Sequence, residues 1–94
     1  MAEIDVAVLI IDPSVEAKIR AKHALTGDEV REVVLYNGKA EAGWEDHPKH
    51  GLRLVVKGQT YAGRRLIAYL MPANEGDPEE GTFVLKTAIA EPAG

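Results

Sequence analysis

The chain has 94 residues, of which 46% are hydrophobic and 28% charged, and its formal net charge is −4. This length suits one domain over residues 1–94, and the hydrophobic fraction excludes a disordered chain. The absence of cysteine excludes disulfides, thiolate metal sites and cysteine nucleophiles, and it fits a reducing, cytoplasmic compartment. No run reaches the roughly 18 apolar residues of a membrane span and no stretch resembles a signal peptide, so we expect no membrane association.

The charges are distributed unevenly along the chain. The acidic residues gather in 28–32, 41–46 and 75–80. Between His47 and Asn74 the chain has no acidic residue and five basic ones, namely Lys49, Arg53, Lys57, Arg64 and Arg65. This distribution predicts a locally basic surface on an acidic protein. The alternative interpretation is an ordinary solvated strand face.

The first predicted elements are a strand and a helix. Ile4–Ile11 is rich in β-branched residues, which favours a strand. Asp12 is a good helix N-cap, and Pro13 suits the first helical position because no N–H is needed there. Val15 and Ile19 lie four residues apart, so they predict the buried face of this first helix.

A second helix is predicted directly after the first. Thr26 and Glu29 have the spacing of a capping box, in which each side chain bonds the backbone N–H of the other residue. The stretch Asn37–Gly38 ends this helix, since both residues tolerate the left-handed conformation. The buried stripe has the helical spacing and consists of Val30, Val33 and Val34.

After residue 39 the hydrophobic period changes to two, which predicts strands. We predict strands over Ala40–Trp44, Leu52–Lys57, Arg65–Leu70 and Thr82–Ala90, with loops over Asp46–Gly51 and Pro72–Gly81. Short links between consecutive strands favour antiparallel pairing. The predicted fold is therefore α+β, with two N-terminal helices, preceded by a short strand, packed on an antiparallel sheet of about four strands. We expect Trp44, the only tryptophan, in the core.

Two histidines three residues apart, His47 and His50, are the first candidate for a functional site. A metal site needs further ligands, Pro48 indicates a loop, and Lys49 repels a cation. We therefore interpret this segment as a hydrated loop and expect no metal and no cofactor. Nearby carboxylates are interpreted as solvated, since nothing in the sequence buries them: Glu41, Glu45 and Asp46.

A second candidate chemistry is RNA cleavage without a metal. It needs a base for the ribose 2′-OH, an acid for the leaving oxygen and cations for the charged phosphorane. Aromatic rings can also stack on bases. The chain carries suitable residue types at Lys22, His23, Arg53, Lys57, Tyr61, Arg64, Tyr69 and Lys86. The alternative is structural: Tyr69 as a core residue and His23 as a partner of a helix C-terminus.

Three segments resemble BrnT-like toxins. Lys18–Thr26, followed by Asp28–Val30, resembles the family's "lys-his-gly-val-ser/thr" stretch and the acidic second helix that follows it. Arg53–Arg64 resembles its "arg, apolar strand, gly-x-thr-x-x-gly-arg" hairpin. Val84–Ala88 corresponds to its last strand. Together these segments span most of residues 18–89.

The resemblance implies a RelE-like ribonuclease toxin of a type II toxin–antitoxin pair, metal-independent and held inactive by an antitoxin protein. Carried over by position, the candidate catalytic residues are Lys22, His23, Arg53 and Arg64, with Arg64 contacting phosphate and Arg53 doing the same or stabilising the transition state. We add four candidate RNA-binding residues, Lys57, Tyr61, Arg65 and Lys86. Two alternatives stay open: a non-catalytic protein-binding module or degenerate toxin on the same scaffold, and a homo-oligomeric domain whose basic face pairs with an acidic loop of its neighbour.

Overall fold

The computed structural model describes residues 6–36, 40–49, 51–73 and 81–91. The described elements in chain order are β1 (Val8–Ile10), α1 (Pro13–His23), α2 (Gly27–Arg31), a π-helical segment (Glu32–Tyr36), β2 (Glu41–His47), β3 (Gly51–Gln59), β4 (Arg65–Pro72) and β5 (Thr82–Ala90). The α+β class is therefore confirmed. Within the described residues, no helix is long and apolar enough to cross a membrane.

The two helices begin where the caps predicted them. The Asp12 carboxylate accepts from the Ser14 N–H at 2.9 Å, and Pro13 is the first helical residue. The capping box of α2 is complete: Thr26 Oγ1 accepts from the Glu29 N–H and Glu29 Oε1 accepts from the Thr26 N–H, both at 3.1 Å. These bonds satisfy N–H groups that have no partner inside a helix.

The second predicted helix changes its winding after Arg31, where α2 passes into the π-helical segment. Val30 and Val33 are buried and Val34 is partly buried, so the predicted stripe does face the core. This segment lies close to β3, because a Cβ on Gly58 would stand 2.9 Å from Val33 Cγ1. Only glycine allows so close an approach. The predicted end at Asn37–Gly38 lies outside the described residues.

The sheet has five strands in the order β1-β5-β4-β3-β2. β2 to β5 form the predicted antiparallel meander. The expectation of about four antiparallel strands is wrong in one respect: β1 pairs with β5 in parallel, with Leu9 opposite Phe83. The sheet is therefore mixed, and the described part of β1 is shorter than the predicted Ile4–Ile11. Residues 4 and 5 lie outside the described residues.

The predicted loop over Asp46–Gly51 is mostly strand. β2 continues to His47 and β3 starts at Gly51, so the link between them is short. Gly51 has a positive φ of 74°, which a glycine adopts without strain. Charged residues in this segment hid the strand, because one side of the sheet is exposed here and tolerates polar side chains.

The core lies between the helices and one face of the sheet. Buried side chains from the helical layer, such as Ile19, Leu25, Val30 and Val33, pack on alternate strand residues. Those strand residues are Leu9, Leu54, Val56, Leu66, Ala68, Leu70, Phe83, Leu85 and Ala88. Trp44 was expected in this core but is 39% exposed, with its ring centroid 6.2 Å from that of Phe83.

The other side of the sheet is the open face, on which no helix of the described residues packs. Its polar half, on β2 and β3, carries Glu41, Gly43, Glu45, His47, Arg53, Val55 and Lys57. Its apolar half, on β1, β5 and β4, carries Val8, Ile10, Ile67, Tyr69, Met71, Val84, Thr87 and Ile89. Strand alternation puts these residues on one surface. Val8 and Ile10 are 49% and 46% exposed because they lie on this open face.

Candidate functional site

An ion pair on the polar half joins two adjacent strands. Glu45 on β2 lies directly opposite Arg53 on β3. The Glu45 Oε1 atom accepts from Arg53 Nε at 2.9 Å and from Arg53 Nη2 at 2.7 Å. Two charge-assisted bonds to one oxygen fix the plane and direction of the guanidinium. The Glu45 side chain is 41% exposed, so its carboxylate remains within reach of a ligand.

The same guanidinium lies over an aromatic ring. Arg53 Cζ is 4.3 Å from the ring centroid of Tyr69, which belongs to β4. The register explains this contact, since Val55 is opposite Tyr69 and Arg53 is two residues away on the same face. A cation over a ring gains about 0.5–2 kcal/mol, more as water is removed. The Arg53 side chain is accordingly only 16% exposed, so its position is set before any ligand arrives.

His47 lies on the same face of β2, two residues beyond Glu45, and opposite Gly51. Its Nδ1 atom accepts from the Lys49 N–H at 3.0 Å, in an exposed turn. In the neutral ring this bond puts the proton on Nε2. Side chains two residues apart on a strand are about 7 Å apart and lie on the same face, so Glu45 and His47 are neighbours on the open face.

Arg64 does not lie with Arg53. Its Nη1 donates to the Ala24 carbonyl and its Nη2 donates to the His23 carbonyl, each at 2.6 Å. Glu29 Oε2 is 3.6 Å from the same Nη1. The residues that follow α1 and begin α2 are therefore tied to the start of β4 by one side chain. Arg64 reaches into the helical layer, on the opposite side of the sheet from Arg53.

The left-handed end of α1 explains why these carbonyls need a partner. Ala24 has a φ of 53°, and its N–H donates to the Arg20 carbonyl at 3.0 Å. This conformation turns the last carbonyls of the helix away from any intrahelical N–H. Arg64 supplies the missing donors, and it does so from a position 40 residues away in sequence from Ala24.

Lys22 and His23, the remaining candidate catalytic residues, form the last turn of α1. Lys22 is exposed and His23 is partly buried. Tyr61, a candidate RNA-binding residue, is exposed in the turn between β3 and β4, where its N–H donates to Glu32 Oε1 at 3.0 Å. The His23 carbonyl is the atom that Arg64 binds, so Lys22, His23 and Arg64 are neighbours in the helical layer.

The other three candidate RNA-binding residues are exposed on the sheet. Lys57 belongs to the open face, opposite Glu41, and Arg65 follows the same alternation at the start of β4. Lys86 lies between Leu85 and Thr87 of β5, at the point where a bulge shifts the pairing with β4. The structure thus brings Arg53, Lys57 and Arg65 to one face and leaves Lys22, His23, Arg64 and Tyr61 on the other side of the molecule.

Two residues of the polar half, Glu45 and His47, were interpreted from the sequence as parts of a solvated loop. Their alternation with Trp44 and Asp46 is a period of two, which is the signal of a strand. Reading that period through to His47 would have put both residues on the face that carries Arg53. Within the described part of the chain, no three His, Asp or Glu side chains gather into a group able to hold a metal ion. His50 lies outside the described residues.

No family model, no curated protein and no solved structure matches this chain.

Proposed function

We propose that this chain is a toxin-like, metal-independent endoribonuclease of the cytoplasm whose active site is the polar half of the open face. One observation carries the proposal: Glu45 and Arg53 are held side by side on an accessible sheet surface, with the arginine over the ring of Tyr69. The proposal of a RelE-like toxin is based on the resemblance of three segments to BrnT-like toxins. The segments with that resemblance correspond to α1, α2, the β3–β4 hairpin and β5.

The proposed reaction is attack of a ribose 2′-oxygen on the adjacent phosphorus. Glu45 accepts the 2′-OH proton while the new O2′–P bond forms. Arg53 donates to the non-bridging oxygens, on which negative charge grows in the transition state. His47, in its imidazolium form, gives a proton to the 5′-oxygen as the P–O5′ bond breaks. The products are a 2′,3′-cyclic phosphate and a 5′-hydroxyl, and every role is supplied by a side chain.

The contacts support these roles in physical terms. The two hydrogen bonds from Arg53 to Glu45 Oε1 hold the carboxylate and the guanidinium beside one another, which is the arrangement that a base and a phosphate-binding cation at one site need. His47 lies on the same face of β2 as Glu45, two residues away, and its Nδ1 accepts from the Lys49 N–H. Tyr69 acts by holding the guanidinium in place, since a preorganised donor needs no reorientation during the reaction.

The test is cleavage of total RNA by purified protein in the presence of EDTA. We expect the wild-type chain to cut RNA and Glu45→Gln to lose at least 10²-fold in rate, because the amide is no base. Asp46→Asn is the matched control, since Asp46 is the next residue on β2 and points to the other side of the sheet. Loss of activity in both variants, or in neither, contradicts the assignment of Glu45.

A second candidate function is protein binding without catalysis, as in a degenerate toxin, and the apolar half of the open face favours it. Val8 and Ile10 are exposed beside Val84 and Met71, with no charged side chain among them. Apolar surface of this kind is typical of a contact with another protein. The antitoxin implied by the resemblance, or a second copy of the chain, would then bind there. This function would be established instead if the wild-type chain does not cut RNA but forms stable complexes with another protein chain, and if Ile10→Asp abolishes those complexes.

A further inference from the structure

Between two cross-strand residue pairs of the polar half lies a small apolar floor. Glu45 and Arg53 form one pair, and Glu41 lies opposite Lys57 in the same register, four residues before Glu45 on β2 and four residues after Arg53 on β3. Gly43 and Val55 are the residues between the pairs, and they are also opposite one another. The Cα atoms of Glu41 and Glu45 are about 13 Å apart along the strand, which leaves room for a purine ring system above the floor.

Gly43 is what keeps this floor open. Apart from Gly43 and its two chain neighbours, no atom of the described residues lies within 4 Å of the point where a Cβ on Gly43 would stand. Gly43 is not among the residues with a positive φ, so its backbone conformation does not require glycine. Glycine inside a strand costs stability, and it often marks a site that a ligand approaches closely. Neither the backbone conformation nor the packing of the described residues therefore requires glycine at position 43.

We infer that this floor is a nucleobase subsite selective for guanine. This inference rests on the proposed ribonuclease function, since the subsite would select the nucleotide whose 2′-OH faces Glu45. Guanine carries donors at N1 and N2 on one edge and acceptors at O6 and N7. The Glu41 carboxylate accepts from the N1–H and N2–H groups, and the Lys57 ammonium donates to O6. The base lies flat over Gly43 and Val55.

The same arrangement disfavours the other bases. Adenine presents an unprotonated N1 to the Glu41 carboxylate, which leaves two acceptors facing one another. Cytosine has the same defect at N3. Uracil has a donor at N3 but lacks a second one beside it, so it forms one bond to Glu41 where guanine forms two. Two well-placed bonds typically give a preference of tenfold or more over a base that cannot form them.

The experiment measures binding of the four nucleoside 3′-monophosphates by NMR, with the amide signals of Gly43 and Val55 as reporters. We expect guanosine 3′-monophosphate to bind at least tenfold more tightly than the adenosine, cytidine and uridine compounds. Glu41→Gln should remove that preference, because its amide cannot accept both donors. Asp46→Asn, on the opposite side of β2, should keep it. Equal affinity for all four nucleotides would overturn the inference.

A second variant tests the floor itself. Gly43→Val fills the open space with a residue that suits a strand, so we expect an unchanged or higher melting temperature. It should lower the affinity for guanosine 3′-monophosphate at least tenfold, and unchanged affinity would overturn the assignment of the floor. Because binding is measured without cleavage, the two proposals separate. Guanine-selective binding with intact RNA defeats the ribonuclease, whereas RNA cleavage without guanine preference defeats the subsite.

Discussion

Arg53 and Arg64 belong to the same hairpin and carry the same charge, yet they serve two different regions. Arg53 lies on the open face, where one carboxylate and one aromatic ring hold it beside an exposed surface. Arg64 lies in the helical layer, where it donates to the carbonyls of His23 and Ala24. The first region holds charged groups at an accessible surface. The second uses its charge to join two helices to the sheet.

A sequence motif determines the position of a side chain only where the backbone around it is regular. Arg53 lies within a strand, so the alternation of side chains puts it on the face away from that of its buried neighbour Leu54. Arg64 follows Gly63, whose φ is 91°, and its direction depends on the turn that precedes it. Two arginines at the ends of one matching segment therefore need not share a surface. Substitutions in each region can test whether the two regions are as separate as their contacts indicate.

The largest expected effect is on cleavage by an Arg53 variant. Arg53→Lys keeps the charge but loses the paired donors and the flat contact with Tyr69. We expect the cleavage rate to fall about 10²-fold, the usual effect of removing one transition-state donor. The measurement is the cleavage rate of a defined RNA, with the melting temperature recorded beside it. A rate near that of the wild type would show that Arg53 is not part of the reaction.

Arg64 should behave in the opposite way. Arg64→Ala removes two charge-assisted hydrogen bonds and leaves the His23 and Ala24 carbonyls without these donors, so we expect a loss of about 2–3 kcal/mol in the free energy of unfolding. Activity per folded molecule should be unchanged. Chemical denaturation measures the loss, and Arg65→Ala is the control, since Arg65 is exposed in the next position. Equal losses in both variants would remove the special role of Arg64.

A smaller effect is expected at the start of α2. Thr26→Ala removes the acceptor for the Glu29 N–H and breaks the capping box, which costs about 1 kcal/mol. Thr26→Ser keeps the hydroxyl and should stay within about 0.5 kcal/mol of the wild type. Urea denaturation of the two variants and the wild type measures both changes in the free energy of unfolding. The change should leave RNA cleavage unaltered, because α2 lies on the side of the sheet away from Glu45.

The elements with local signals were predictable from the sequence. Asp12, Pro13 and the Thr26–Glu29 capping box start the helices because a cap needs only neighbouring residues. β3, β4 and β5 follow from strict alternation of buried residues, as in Leu66, Ala68 and Leu70. Their antiparallel order follows from short links. The placement of Arg53 on a polar face was also predictable, since it alternates with Leu52 and Leu54.

The remaining features depend on contacts between residues far apart in sequence. The parallel pairing of β1 with β5 joins Leu9 to Phe83, and nothing near either residue signals it. Arg64 binds carbonyls, and backbone acceptors leave no trace in a sequence. Glu45 and His47 were predictable in type but not in role, because only the register with β3 shows that Glu45 meets Arg53. The change to a π-helical segment after Arg31 has no sequence signal that we can name.

The smallest effect concerns the other end of α1, where the cap is local. Two hydrogen bonds from Ser14, with the larger effect from its hydroxyl and the smaller from its N–H, hold the pKa of the Asp12 carboxyl below its ordinary value of 3.8. Because the folded-state pKa is depressed, this contribution is present above the unfolded-state value and is lost as pH falls through the folded-state pKa. The free energy of unfolding should therefore fall less steeply with acid in Asp12→Asn than in the wild type. Parallel curves for the two proteins below pH 3.8 would mean that this carboxyl is not linked to folding.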